Sequence, residues 1–252
     1  MQNNAGGKMK KIVISNQKGG VGKTCLSTHI AHCAIEKNLK VLFIDNDTQG
    51  NAGFNLEDYA TKVFDAIDLY TTEIDFSEIE NTNFVLFKGS KSIKDLDKDN
   101  FKYMASNIKK ANNVFDICLF DTPPTEGALQ DFPMLVSDFI LSPFELDNYS
   151  YMGFKTLISR ISEIKALNKK IQFLGFVPNR VDLRNKFDRE QLEAVTSNYS
   201  AYMFGAGFYV PMRSAIKVAN HSKVPVWKVK NGSKAGLFLK QLSNNVFEKI
   251  GV

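Results

Sequence analysis

Residues 16–24 read Asn-Gln-Lys-Gly-Gly-Val-Gly-Lys-Thr. Just before them lies the β-branched run Lys11-Ile-Val-Ile-Ser15, and from about Gly22 to Lys37 the pattern is helical. A glycine-rich turn between a buried strand and the start of a helix is built to hold phosphate. The glycines let backbone N–H groups converge on anionic oxygens, and the helix N-terminus adds positive potential. The usual spacing, G-x-x-x-x-G-K-[ST], asks for glycine at position 17, where this chain has Gln17. Gly19, Gly20, Gly22, Lys23 and Thr24 still supply the same physics. Lys23 is expected to neutralise the β/γ-phosphates, and Thr24 to place its hydroxyl on Mg²⁺.

Outward from that loop the chain alternates strands and helices. Val41–Ile44, Phe84–Phe87, Ile117–Phe120, Phe139–Leu141 and Gln172–Val177 are apolar runs without alternation, as in parallel strands buried on both faces. Helical patterns fall near 101–112, 127–136, 149–167 and 188–200. The order predicts an α/β fold, one doubly wound and mostly parallel sheet flanked by helices, over residues 10–252. Residues 1–9 are expected to form a flexible leader, without the apolar region of a signal peptide. Residues 54–83 and 88–100 are patterned weakly and are expected as insertions over the carboxyl edge of the sheet.

Composition narrows the class. The chain has 252 residues, 44% hydrophobic and 23% charged, which excludes disordered, collagen-like and coiled-coil chains. Cys25, Cys33 and Cys118 are too few for a disulfide scaffold and lack zinc-site spacing. No apolar run approaches a membrane span, so a cytoplasmic protein is expected.

Two acidic segments follow the second and fourth apolar runs. The first is Asp45-Asn-Asp-Thr-Gln-Gly-Asn51 and the second is Ile117-Cys-Leu-Phe-Asp121-Thr-Pro-Pro-Thr125. A carboxylate ending an apolar strand can hold Mg²⁺ through water, because Mg²⁺ keeps much of its hydration.

Lys18-Gly-Gly-Val-Gly-Lys-Thr24 resembles the deviant Walker A box of the ParA/MinD group of P-loop ATPases, in which an extra lysine precedes the two glycines. The resemblance runs from Lys10 to about Val226 and is weakest over 54–113. It implies ATP and Mg²⁺ as cofactors and an ATP-dependent sandwich homodimer. Lys18 then reaches the nucleotide of the partner protomer and stabilises developing charge. Lys18, Gly19, Gly20, Val21, Gly22, Lys23, Thr24 and Cys25 become the expected nucleotide contacts. Asp45-Asn-Asp-Thr-Gln-Gly-Asn51 resembles switch I, D-x-D-P-Q-G-N, with Thr48 in the proline position. Asp47 is then the residue orienting the attacking water, and Asp45 lies near the Mg²⁺ shell. Asp121 resembles the Walker B aspartate, and Thr122-Pro-Pro-Thr125 resembles switch II of the ParA branch. Lys18, Lys23 and Asp47 are thus the expected catalytic residues, and Thr24, Asp45 and Asp121 the metal group. At the base end, Asn179 resembles an adenine contact, while Pro211 and Met212 resemble residues covering the ring. A turn or core role for these three stays open.

Charge points to one branch of that group. Residues 153–252 carry 17 Lys+Arg against 6 Asp+Glu, whereas residues 1–152 carry 15 against 21. The net charge of +5 therefore hides a basic carboxyl-terminal part. Non-specific DNA is the expected partner there, through Arg213, Lys217, Lys223, Lys228 and Lys230. Neutralising about 4–6 phosphates makes binding steeply salt-dependent and indifferent to sequence. The resemblance further implies a ParB-like centromere-binding partner, plasmid or chromosome partition, and a nucleoid-associated location. A MinD-like membrane ATPase and a same-fold ATPase positioning a protein cargo remain alternatives. The terminal segment Lys234–Ile250, with Leu237, Phe238, Leu242, Val246 and Phe247 at helical spacing, is expected to dock on the core rather than on a membrane.

Overall fold

The structure is a computed structural model and describes residues 8–146, 150–205 and 207–252, with the side chains of 150–153 left aside. Its centre is a seven-stranded parallel sheet. The strands are β1 (Lys10–Ile14), β2 (Val41–Asp45), β3 (Lys62–Asp65), β4 (Phe84–Lys88), β5 (Ile117–Asp121), β6 (Phe139–Glu145) and β7 (Gln172–Asn179), in the order β3-β4-β2-β5-β1-β6-β7. The helices are α1 (Lys23–Glu36), α2 (Asn51–Leu56), α3 (Ala66–Thr71), α4 (Lys98–Ala111), α5 (Ala128–Val136), α6 (Ser150–Leu167), α7 (Lys186–Asn198), α8 (Ser214–His221) and α9 (Ser233–Ile250).

The unalternating strands behave as their sequences require. Leu42, Ile44, Val85, Phe87, Cys118 and Phe120 pack under α3–α6 on one face of the sheet. Val41, Phe43, Leu86, Ile117 and Leu119 pack under α1, α8 and α9 on the other. Both faces are covered, which is how a parallel sheet buries its apolar side chains. Parallel register then brings the carboxyl ends of three central strands together, pairing Asp45 with Asp121 and Ile14 with Asp121.

Some expectations are corrected. Within 54–83, Lys62–Asp65 adds an edge strand beside β4, with Lys62 opposite Val85, and α3 packs Leu69 and Tyr70 into the core. Only four residues long and largely exposed, β3 takes its place from backbone pairing that its side chains do not announce. Between 88 and 100 the chain makes a short turn, then starts α4 on a capping box of Asp97 and Asn100. Met9, counted in the leader, is fully buried. The terminal helix does dock, through Leu239, Leu242, Val246, Phe247 and Ile250. Leu237 is not part of that stripe, because its helical phase turns it outward and leaves it 67% exposed. No helix among the described residues is long and apolar enough to cross a membrane.

Helix α1 carries two buried histidines whose neutral state is set by contacts. His29 Nδ1–H donates to the Cys25 carbonyl at 2.7 Å, and the Val226 N–H donates to His29 Nε2 at 3.1 Å. His32 meets the Tyr59 ring edge-on, 4.6 Å between centroids. Burial depresses His29 to about 4 and His32 to about 3. Since the unfolded chain takes these protons near pH 6.5, each neutral histidine contributes stability that is present above pH 6.5 and lost as pH falls toward the folded value. The stability gap between wild type and His29→Gln in urea is therefore expected to narrow between pH 7 and pH 5, by up to about 2 kcal/mol. A constant gap would contradict the neutral assignment.

Candidate functional site

The loop after β1 is held from both sides. Asn16 Nδ2 donates to the Pro143 carbonyl at 2.9 Å, tying the loop to β6, while Asn16 Oδ1 accepts the Lys18 N–H at 2.9 Å. Gly20 and Gly22 have φ of 76° and 100°, the left-handed region that glycine enters without strain. A Cβ on Gly22 would lie 2.0 Å from Asn179 Nδ2, so the loop could not close around a larger residue. Gly22 caps α1 without a side-chain acceptor, leaving the first helical N–H groups to an incoming anion.

The two loop lysines occupy opposite situations. Lys23 is only 7% exposed, and its Nζ donates to the Asn16 and Lys18 carbonyls at 2.9 and 3.0 Å. Burial lowers its pKa, against the pull of Asp121 and Asp47. Lys18 is exposed on the crest of the loop.

Beneath the loop lie two carboxylates from adjacent strands. Asp121 accepts Thr24 Oγ1–H at 2.8 Å and Ser27 Oγ–H at 3.1 Å. Asp45 accepts the Asp47 and Gly53 N–H groups at 3.0 and 2.7 Å. Both residues are fully buried, and burial pushes both carboxyl pKa values up, helped by the neighbouring Asp47 charge at Asp45 and by the Asp45 charge at Asp121. This excess of negative charge favours a cation. The side-chain oxygens nearest the loop are hard ones, the Thr24 hydroxyl and the Asp121 carboxylate, and no cage of three or more His, Cys, Asp or Glu exists among the described residues. Such a sparse oxygen set suits Mg²⁺, which retains waters and shares phosphate oxygens. Asp45 has both oxygens engaged by backbone N–H groups, whereas the Asp121 carboxylate is held by two side-chain hydroxyls. Asp47 is half-buried, accepts the Gln49 N–H at 3.0 Å, and is close enough to act on the Lys23 charge.

At the base end, residues 210–212 run beside the end of β7. The Val210 N–H donates to the Pro178 carbonyl, and the Met212 N–H to the Val181 carbonyl. This strip brings Pro211 and Met212 to the same cavity as Gly22, Cys25 and Asn179, about 610 Å³ in volume. Asn179 Nδ2 donates to the Val21 carbonyl at 2.7 Å, so the residue also braces the loop. Burial pushes the Cys25 thiol up to about 12, which makes it a packing group rather than a thiolate.

The basic residues divide. Arg213 and Lys217 are exposed but line the rim of the base cavity, which their sequence did not suggest. Lys228 and Lys230 are exposed. Lys223 departs from the expectation of an open DNA contact. Its Nζ lies 2.8 Å from Glu57 Oε1 and 3.6 Å from the centroid of the Phe54 ring. Asn16 and Ser27 were missed as site residues. Ser27 had a signal, standing one helical turn after Thr24.

The family model for the AAA domain (AAA_31) matches residues 9–173 of this chain. Protein IncC of Escherichia coli is 36% identical, over 97% of this chain and 71% of that protein. The chain belongs to the ParA/MinD family of P-loop ATPases. The ParA family protein MG470 of Mycoplasma genitalium is 26% identical over 88% of this chain and 91% of that protein. Pyrococcus horikoshii MinD, solved with Mg-ADP, superposes with a TM-score of 0.71 at 19% identity, covering 96% of this chain and 98% of the other. At that identity the match speaks for the fold, and it is the fold described above.

Proposed function

We propose that this protein is a ParA-type partition ATPase that binds MgATP, dimerises across it, and rides on non-specific DNA. The observation that carries the reading is the division between the loop lysines, one buried in the phosphate cradle and one exposed where a second protomer can meet it. The likeness to IncC and to a ParA family protein supports the same branch.

Lys23, the loop N–H groups and Thr24 hold the phosphates, Asn179 with Pro211 and Met212 holds the adenine, and Asp121 with Thr24 holds Mg²⁺. The metal supplies charge neutralisation at the β- and γ-phosphates. Asp47 orients the attacking water. Lys18 of the second protomer completes the charge stabilisation, so turnover is slow until the dimer forms. A ParB-like centromere-binding protein then stimulates hydrolysis and releases the dimer, moving a plasmid or chromosome in a cytoplasmic, nucleoid-associated cycle.

The DNA surface on this reading is Arg213, Lys217, Lys228 and Lys230. Lys223 contributes less, since Glu57 neutralises it. Reversing Lys217 and Lys230 to glutamate is expected to weaken DNA binding at least tenfold at low salt and to flatten the log–log salt slope by about 2. ATP affinity measured in parallel separates this from damage to the base cavity. Unchanged DNA binding removes the surface assignment. Hydrolysis assayed with non-specific DNA, with anionic liposomes and with neither tests the branch. DNA stimulation supports partition, and liposome dependence selects a membrane ATPase instead. Burial of the apolar stripe of α9 against α1 and the sheet supports the first outcome.

A further inference from the structure

Asn46 lies between the two switch I carboxylates and belongs to neither the nucleotide nor the metal group. It is fully buried and continues β2, its N–H donating to the Asp121 carbonyl at 2.9 Å. Successive side chains of an extended chain point to opposite faces. Asp45 accordingly reaches the α2 backbone at Gly53, whereas Asn46 reaches α3 and α5 under the other face.

The α5 contact has a specific cause. Leu129 lies in the first turn of α5, and its carbonyl would ordinarily accept from the N–H of residue 133. Residue 133 is Pro133, inside the helix, and proline has no N–H. Asn46 Nδ2 donates to that carbonyl at 3.0 Å. On its other side, Asn46 Oδ1 accepts the Tyr70 hydroxyl at 2.8 Å. Tyr70 is itself fixed, because Asn107 on α4 donates to the Leu69 and Thr72 carbonyls that bracket it, at 2.9 and 2.8 Å. The amide thus joins three bodies: the switch I turn, the α3/α4 layer, and the helix that follows switch II.

We propose that Asn46 is a positioning residue for hydrolysis, its amide locking switch I to α5 so that Asp47 and the switch II segment are held and moved as one unit. The proposal rests on the hydrolysis reading above. An Asn46→Leu change keeps the side chain's size but removes both bonds, and Tyr70→Phe removes one. Both are expected to leave the affinity for a fluorescent ATP analogue within twofold. Turnover is expected to fall at least tenfold in Asn46→Leu and threefold or more in Tyr70→Phe. Pro133→Ala offers the Leu129 carbonyl a helical donor in competition with Asn46. It is expected to raise the melting temperature while lowering turnover at least twofold, an outcome that a merely structural amide does not produce.

Turnover within twofold of wild type in Tyr70→Phe and Pro133→Ala overturns the proposal. So does a loss of ATP affinity matching the loss of turnover. Those two variants decide the matter if Asn46→Leu does not fold. Hydrogen exchange at residues 128–136, with and without a non-hydrolysable ATP analogue and Mg²⁺, separates this claim from the hydrolysis reading. Wild type lacking turnover overturns that reading. If the analogue protects 128–136 equally in wild type and Tyr70→Phe, the coupling itself is overturned.

Discussion

Lys23→Ala is expected to weaken MgATP binding by about 10²- to 10³-fold while leaving the fold in place. The Lys23 ammonium is the one cation buried inside the loop among the described residues, held by the Asn16 and Lys18 carbonyls. Those two bonds fix its position before any ligand arrives, so little ordering remains to be done on binding. A hydrogen bond to a charged group contributes about 1.5–3 kcal/mol, so losing one strong or two weaker charge-assisted contacts to phosphate costs about 3–4 kcal/mol. The same residue is costly in the free protein, because burial lowers its pKa against the attraction of Asp121 and Asp47. Removing it is thus expected to leave the melting temperature of the nucleotide-free protein near that of wild type. Calorimetric titration with MgATP, beside a thermal melt, checks both halves. An affinity within tenfold of wild type would displace Lys23 from the phosphate site.

Much of this site could be read from the chain because its parts are local. The phosphate loop is nine consecutive residues leading from a strand into the first residues of a helix, and Asp45 and Asp121 each end an apolar run. What escaped depends on partners distant in sequence. Lys223 looked like an open cation until the fold placed Glu57, 166 residues away, beside it. Arg213 and Lys217 reach the rim of the base cavity because residues 210–212 pair with the end of β7. Lys62–Asp65 becomes a strand through its neighbour β4. Asn46 gains its partner on α5 because Pro133 withholds an N–H from the Leu129 carbonyl. The net charge of +5 is likewise redistributed, since Glu36 and Glu57 from the acidic half cover Lys240 and Lys223 from the basic half.

Lys18→Ala is expected to separate binding from turnover. Lys23 is held by the backbone carbonyl of Lys18, which alanine retains, so the phosphate cradle should survive. MgATP affinity of the monomer is therefore expected to stay within about threefold. Turnover is a different matter if the Lys18 side chain acts on the partner's nucleotide. Cationic fingers delivered from a second body contribute about 10³–10⁵ in rate in related phosphoryl-transfer systems. A loss of at least a hundredfold is expected here, together with loss of the rise in specific activity with protein concentration that a dimer-dependent enzyme shows. Mixing distinguishes action across the interface from action within one chain. A Lys18→Ala protomer keeps Asp47 but lacks the finger, and an Asp47→Ala protomer keeps the finger but lacks the water-orienting carboxylate. If Lys18 acts in trans, a mixture of the two inactive variants should recover turnover well above the sum of its parts. If it acts in cis, each protomer remains defective whatever its partner, and the mixture stays inactive.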